Sequence, residues 1–204
     1  MGQKVNPIGF RVNLNNNWSS IWYDDKNYRK NLITDLQIQD YVAKNFKNSS
    51  ISRVITERTG DNLTVLIKTS KPGVLIGKKG SDIEKIKKYV EKLGEKNVAV
   101  KVAEVEKPDL DAELVGQSIA KQIENRAAFK RVVKKAIQSV MKYGALGVKI
   151  TASGRLNGVD IARSETYKEG SIPLHTMKAN VDYTHVEALC SYGLIGIKVW
   201  IYKK

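Results

Sequence analysis

Cations and glycines, not acids, thiols or imidazoles, carry the chemical potential of this sequence. Gly77-Lys78-Lys79-Gly80 sets two lysines between two glycines, directly after the apolar Val74-Leu75-Ile76. Farther on, FKRVVKKAIQSVMK (residues 129–142) holds Lys130, Arg131, Lys134, Lys135 and Lys142 without one acid. Glycine lets a main chain turn tightly and come close to another chain with no Cβ in the way. A helix opening at Gly80-Ser81 brings free N–H groups and the positive end of its dipole to the same place. On a helix turning ~100° per residue, the five cations of the second stretch fall within an arc of ~140°. Phe129, Val132, Val133, Ala136, Ile137 and Val140 fall opposite. Both features suit the holding of phosphate, and neither breaks a bond. Arg131 offers a bidentate fork, whereas the lysines act as point charges.

Other phosphate chemistries fit less well. A P-loop needs four residues between its glycines, then Lys and Ser/Thr. Here Gly73 and Gly77 enclose three, and Lys79 stands where the hydroxyl belongs. A dinucleotide fingerprint needs a first glycine pair that is absent. The fit is to the GXXG loop of a KH domain, which lies between two helices and clamps a nucleic-acid backbone. The competing readings are an ordinary helix–turn–helix surface at Gly77–Gly80 and a merely solubilising lysine face at residues 129–142. Catalysis finds no footing. Cys190 alternates with apolar residues in VEALCSYG and reads as a buried thiol. His175 and His185 lack Cys or His neighbours at metal-ligand spacing. No Ser-His-acid order or metal cluster is present, so neither a catalytic residue nor a metal or other cofactor is expected.

The whole chain agrees with a polyanionic partner. Its 204 residues carry a formal net charge of +14, and 42% are hydrophobic, enough for a packed core. An anionic membrane is the weaker choice. No apolar run approaches a spanning helix, and MGQKVNPIGF lacks the apolar centre of a signal peptide. Asn6 stands where a myristoylation signal wants Ser or Thr. The single cysteine suits a reducing compartment, so the expected location is cytoplasmic.

These residues need elements to position them. Residues 1–17, with Lys4 and Arg11 and no acid, read as a basic extended arm. Leu32, Ile33, Leu36, Tyr41, Val42 and Phe46 roughly follow helical spacing, as one helix or as two broken near Asp35, which after Thr34 could cap the second. A hairpin follows, with Leu63, Val65 and Ile67 on one face and Gly60-Asp61-Asn62 at the turn. Pro72 opens a short helix; after the glycine turn Ile83, Ile86, Tyr89, Val90 and Leu93 mark a helix that stops at Gly94. NVAVKVAEVEK alternates as a strand. Pro108 marks a boundary, after which two helices precede three or four strands rich in glycine punctuation. Arg155, in a Gly-flanked turn, and Arg163 form a third basic cluster, and with Lys4 and Arg11 they are expected to bind RNA. The expected class is α+β. An N-terminal KH domain spans residues 18–107 with its preceding helix. A C-terminal domain at 108–204 carries two helices and a mixed or antiparallel four-stranded sheet.

Set side by side, the motifs closely resemble a bacterial family, small-subunit ribosomal protein number three. MGQKVNPIGFR looks like its N-terminal signature, and KPGVLIGKKG is similar to its glycine loop. KPDLDAELVGQSIAKQIENR is similar to its linker and next helix. SGRLNGVDIARSETYKEGSIPLHTMKANVDY and SYGLIGIKVWI are the most specific matches. The resemblance covers essentially the whole chain. It implies a type II KH fold and a structural, non-enzymatic role in the small-subunit head. It implies binding to ribosomal RNA beside proteins number ten and fourteen, with numbers two, four and five as candidate neighbours. It also implies that the protein lines the opening through which messenger RNA reaches the decoding site, and that Lys130, Arg131 and Lys134 grip and help unwind that messenger. Lys130 stands where arginine is common in the family, and Ser171 replaces a common arginine. Many members carry a longer C-terminal tail beyond the position of Lys204. Two rival classes are a free KH-type regulator of single-stranded RNA and a lyase acting through lysine. The long GRLNGVDIARSETY segment argues against the first, and against the second the sequence shows no desolvated lysine or partner acid.

Overall fold

Leu63, Val65 and Ile67 alternate along one strand, and all three are buried. They belong to β3 (Asn62–Thr69), which pairs antiparallel with β2 (Ile51–Thr59) across a turn at Gly60, where φ is +60°. The computed structural model describes residues 4–60, 62–77, 80–95 and 97–204, so Asp61 of that turn lies outside the described residues. On its other side β3 pairs in parallel with β4 (Asn97–Glu104), from Asn62↔Asn97 to Thr69↔Glu104. A parallel pair needs a crossover. It is made by α3 (Pro72–Ile76) and α4 (Ser81–Lys92), with the glycine turn between them. The order expected from the sequence (helix, hairpin, short helix, glycine turn, helix, strand) is the order observed. β1 (Ser20–Ile21), parallel to β2, was not expected, because two residues carry no periodicity. Ile38, Val42, Leu75, Ile86 and Val90 complete this core.

Of the two alternatives for the helix before the hairpin, the single helix is observed. α2 (Tyr28–Asn45) runs unbroken through Asp35, which caps nothing. Asp35 is fully buried, and its carboxylate accepts from Trp22 Nε1 at 2.8 Å, Thr56 Oγ1 at 2.7 Å and the Arg58 guanidinium at 2.9 Å. Arg58 also reaches Glu95 at 2.7 Å. A buried charge survives only when paired and hydrogen-bonded in this way. The network turns the helix so that Ile38 and Val42 face inward. Ile33 and Leu36, expected in the core, stay exposed.

The second unit begins with a 3₁₀ turn at Pro108–Leu110. Asp111 then caps α5 (Ala112–Glu124), accepting from the backbone N–H groups of Glu113 and Leu114. α6 (Phe129–Lys142) follows, then β5 (Gly147–Gly154), β6 (Arg163–Gly170), β7 (Val181–Cys190) and β8 (Gly193–Tyr202). The sheet order is β6-β5-β8-β7, antiparallel throughout. Gly116 lets α5 lie close on β7, since a Cβ there would meet methyl groups of Thr184 and Val186 at 2.9 Å. Gly158 ends a 3₁₀ turn at Leu156–Gly158, and residues 159–162 run through a bend before β6.

The boundary between the units falls after Glu106. The segment ending at Asn17 joins the C-terminal unit instead of standing apart as an arm. Asn6 caps the short α1 (Pro7–Phe10), and Arg11 behind it is fully buried. Its guanidinium donates to the carbonyls of Pro7, Pro173, Leu174 and Thr176 at 2.9–3.2 Å. Arg11 was expected to bind RNA; it instead pins the segment between β6 and β7. Burial of its charge is compensated by carbonyl dipoles.

Candidate nucleic-acid interface

The glycine turn is built by the two helices it joins. Pro72 starts α3, whose last N–H bond runs from Gly77 to the carbonyl of Gly73 at 3.2 Å. Gly77 has φ +70° and ψ −173°, and Gly80, which caps α4, has φ +79° and ψ +12°. Both conformations are costly for any residue with a Cβ. Lys78 and Lys79 lie outside the described residues. Val74 and Ile76 are exposed, and Ile83 is half-buried.

One feature departs from the expectation of a free helix end. Asp82 and Glu84 occupy the first turn of α4. A Cβ on Gly77 would come within 2.6 Å of an Asp82 carboxylate oxygen, so the turn folds directly onto that acid. Asp82 also pairs with Lys85 at 2.6 Å, a hydrogen bond that holds the Lys85 ammonium above its ordinary pKa. The positive end of α4 is therefore already answered by carboxylates.

α6 is built the other way. Phe129, Val132, Val133, Ile137 and Val140 are buried, as their spacing predicts. Lys130, Arg131, Lys134 and Lys135 are exposed on the opposite face. The first turn has no acid, and Ala128 provides no side-chain cap. Cations at this end oppose the dipole by ~0.3–1 kcal/mol each. Lys130 lies 3.8 Å from Glu165 of β6, a half-exposed pair of little strength. Among the described residues, Arg131, Lys134 and Lys135 have no ion pair.

The remaining basic residues divide. Lys4 and Arg163 are exposed. Arg155 clips its own turn: it donates to the carbonyls of Val159 at 3.0 Å and Tyr192 at 3.2 Å, and to Asp160 at 2.9 Å. That hold leaves it poorly placed for the RNA role expected of it. Asp82 and Glu165 were missed as neighbours of the cationic sites. Asp82 was legible three residues before Lys85; Glu165 depends on strand register and was not. Cys190 is half-buried against the core. Among the described residues no group of His, Cys, Asp and Glu is placed to hold a metal.

Family models match both units: a KH domain over residues 37–110, and the C-terminal domain of ribosomal protein S3 over residues 119–201. The small ribosomal subunit protein uS3 of Wolbachia sp. subsp. Brugia malayi (strain TRS) is 51% identical over 203 residues, 99% of this chain and 98% of that protein. This chain belongs to the ribosomal protein S3 family. The uS3 proteins of Enterococcus faecalis (strain ATCC 700802 / V583) and Roseobacter denitrificans (strain ATCC 33942 / OCh 114) are each 49% identical, over 100% of this chain and 93% and 87% of theirs. The KH match contains the glycine turn, and the S3 match contains all of α6, β5, β6 and β7. The chain is thus a ribosomal, RNA-binding protein of the small subunit, and its family is structural rather than enzymatic. A free KH regulator would not need the second unit that the S3 match covers.

Proposed function

We propose that this protein sits in the head of the small subunit in the cytoplasm, bound to ribosomal RNA beside proteins number ten and fourteen. Its α6 face lines the opening through which messenger RNA enters. Lys130, Arg131, Lys134 and Lys135 grip the messenger backbone. The observation that carries this reading is a helix whose positive end bears cations and no acid. Such a face is favourable only when an anion lies on it. Duplex opening is passive: the moving ribosome draws the strand, and the cationic helix favours unpaired backbone. Lys4 and Arg163 add ribosomal RNA contacts, and Gly77–Gly80 add another where the backbone of the turn meets a phosphate.

The test replaces Lys130, Arg131 and Lys134 together with alanine in cells. Ribosomes carrying the variant should assemble and sediment normally, yet slow at stable messenger hairpins. Normal transit through those hairpins sinks the messenger role. Failure of the wild-type chain to sediment with small subunits in high salt sinks the ribosomal one.

A further inference from the structure

The sheet of the C-terminal unit has two faces with different neighbours. Val148, Ile150 and Ala152 of β5 are buried in one core with residues of α5 and α6. Residues between them point the other way, and register aligns them across all four strands. Lys168 stands opposite Lys149, Lys149 opposite Trp200, and Trp200 opposite Tyr183. The next row on the same face reads Thr166, Thr151, Lys198, His185.

Two lysines directly opposite each other on neighbouring strands repel. Burial holds the Lys149 ammonium below its ordinary pKa, and the charges of Lys4 and Lys168 add to that effect. Three cations therefore share one place. Among the described residues none of Lys4, Lys149, Lys168 and Lys198 has an ion pair. The platform beneath them is ordered: Lys149 Nζ stands 4.8 Å from the centre of the Trp200 ring, which packs at 5.2 Å on Tyr183. Hydroxyls line the next rows on β5 and β6, with Thr151 bonded to Thr166 at 3.0 Å and Ser164 to Ser153 at 2.9 Å, and Glu187 of β7 brings one acid to the far end of the face.

We propose that this open sheet face, centred on Lys149 and Lys168 with Lys4 beside them, is a second binding surface for the phosphodiester backbone of RNA. It is separate from the α6 face. Glu165 of β6 pairs with Ala152 in register and reaches Lys130 of α6, so α6 lies on the opposite side of the sheet. One strand cannot lie on both faces, and the unit is held between two RNA segments. The inference rests on the ribosomal reading for the source of the RNA. An acidic protein segment is the less favoured occupant, because protein interface cores are depleted in lysine and rich in apolar area. This face offers ammonium groups and hydroxyls around Trp200 and Tyr183.

The experiment uses the full chain and an unstructured twelve-nucleotide RNA as probe. Affinity is measured against salt for the wild type, for Lys149→Gln with Lys168→Gln, for the α6 triple alanine variant, and for the combination. With ~0.7 counterions released per single-strand phosphate contact, the glutamine pair introduced into the triple alanine variant, where this face alone is under test, should lower the salt slope by about 1.4. Acetylation of Lys149 and Lys168 should be suppressed by the probe even in the triple alanine variant. The glutamine pair removes a like-charge contact, so it should melt no lower than the wild type. An unchanged slope with unprotected lysines overturns the proposal. If polyglutamate of equal length, and not RNA, protects them, the face belongs to a protein and the RNA assignment is wrong. Protection by RNA in a chain that does not sediment with small subunits would overturn the ribosomal reading alone.

Discussion

α4 and α6 are both amphipathic helices that present lysines to solvent, yet they are composed by opposite rules. α4 mixes Asp82, Glu84 and Glu91 with Lys85, Lys87, Lys88 and Lys92. Its acids take the positive end of the dipole, and Lys87–Glu91 and Lys85–Asp82 form ion pairs along it. α6 has five cations and no acid, and two of them, Lys130 and Arg131, stand in the first turn, where they cost stability. The first composition makes a helix that is content in water. The second makes one whose surface is completed by an anion. On the reading proposed above, the turn of the N-terminal unit would meet phosphate through backbone geometry, whereas the C-terminal unit would meet it through charge.

The sharpest way to break this contrast is the Lys130, Arg131 and Lys134 triple alanine variant. Losing three single-strand phosphate contacts at ~0.7 counterions each lowers the salt slope by about 2.1, roughly 50-fold in affinity at 0.15 M salt. The same substitutions should raise the melting temperature, since cations leave the positive end of a helix and alanine is the best helix former. Anisotropy titrations and a thermal melt on one preparation read both. A variant that binds weakly and also melts lower would mean that the cations stabilise the fold, and the contrast with α4 would fail.

The second probe is Gly77→Ala beside Gly80→Ala. Gly77 combines φ +70°, ψ −173° with a Cβ position against Asp82, while the space around Gly80 is open. The Gly77 variant should lose ~1–3 kcal/mol in the N-terminal unit. Gly80→Ala, in a plain left-handed conformation, should lose ~1 kcal/mol. Calorimetry separates them, and equal losses would mean that the acid yields without cost.

Much of this was legible before any coordinates. Ile86, Val90, Val133 and Val140 repeat every three or four residues, and all four are buried. Leu63, Val65 and Ile67 declared a half-buried strand by strict alternation. What failed did so for a common reason: pairing over long sequence distance. Arg11 looked free because nothing acidic lies near it in sequence, but three of its four carbonyl partners are more than 160 residues away. Asp35 looked like a cap because Thr34 precedes it; its partner Arg58 comes from β2. The like-charge pair Lys149 and Lys168 exists only through the register of β5 and β6. Periodicity reports which way a side chain points, and register alone reports what it meets.

Two smaller substitutions sharpen the comparison from either side. Asp82→Asn removes the acid beside Gly77 and leaves the hydrogen-bonding shape. The start of α4 should lose ~0.3–1 kcal/mol. RNA affinity should rise by a factor of a few if the turn meets phosphate, and unchanged affinity would mean that the turn meets none. Glu165→Gln does for α6 what Asp82→Asn does for α4. It frees Lys130 from its one acid, 3.8 Å away and largely solvated. An exposed pair of this kind is worth ~0.2–1 kcal/mol, so stability should hardly move. RNA affinity should increase by less than about fivefold, with a slightly steeper salt dependence, because one more cation meets the backbone uncompensated. A larger gain would show that Glu165 restrains the whole cationic face instead of one lysine, and no gain with unchanged slope would place Lys130 outside the RNA contact that Arg131 and Lys134 make.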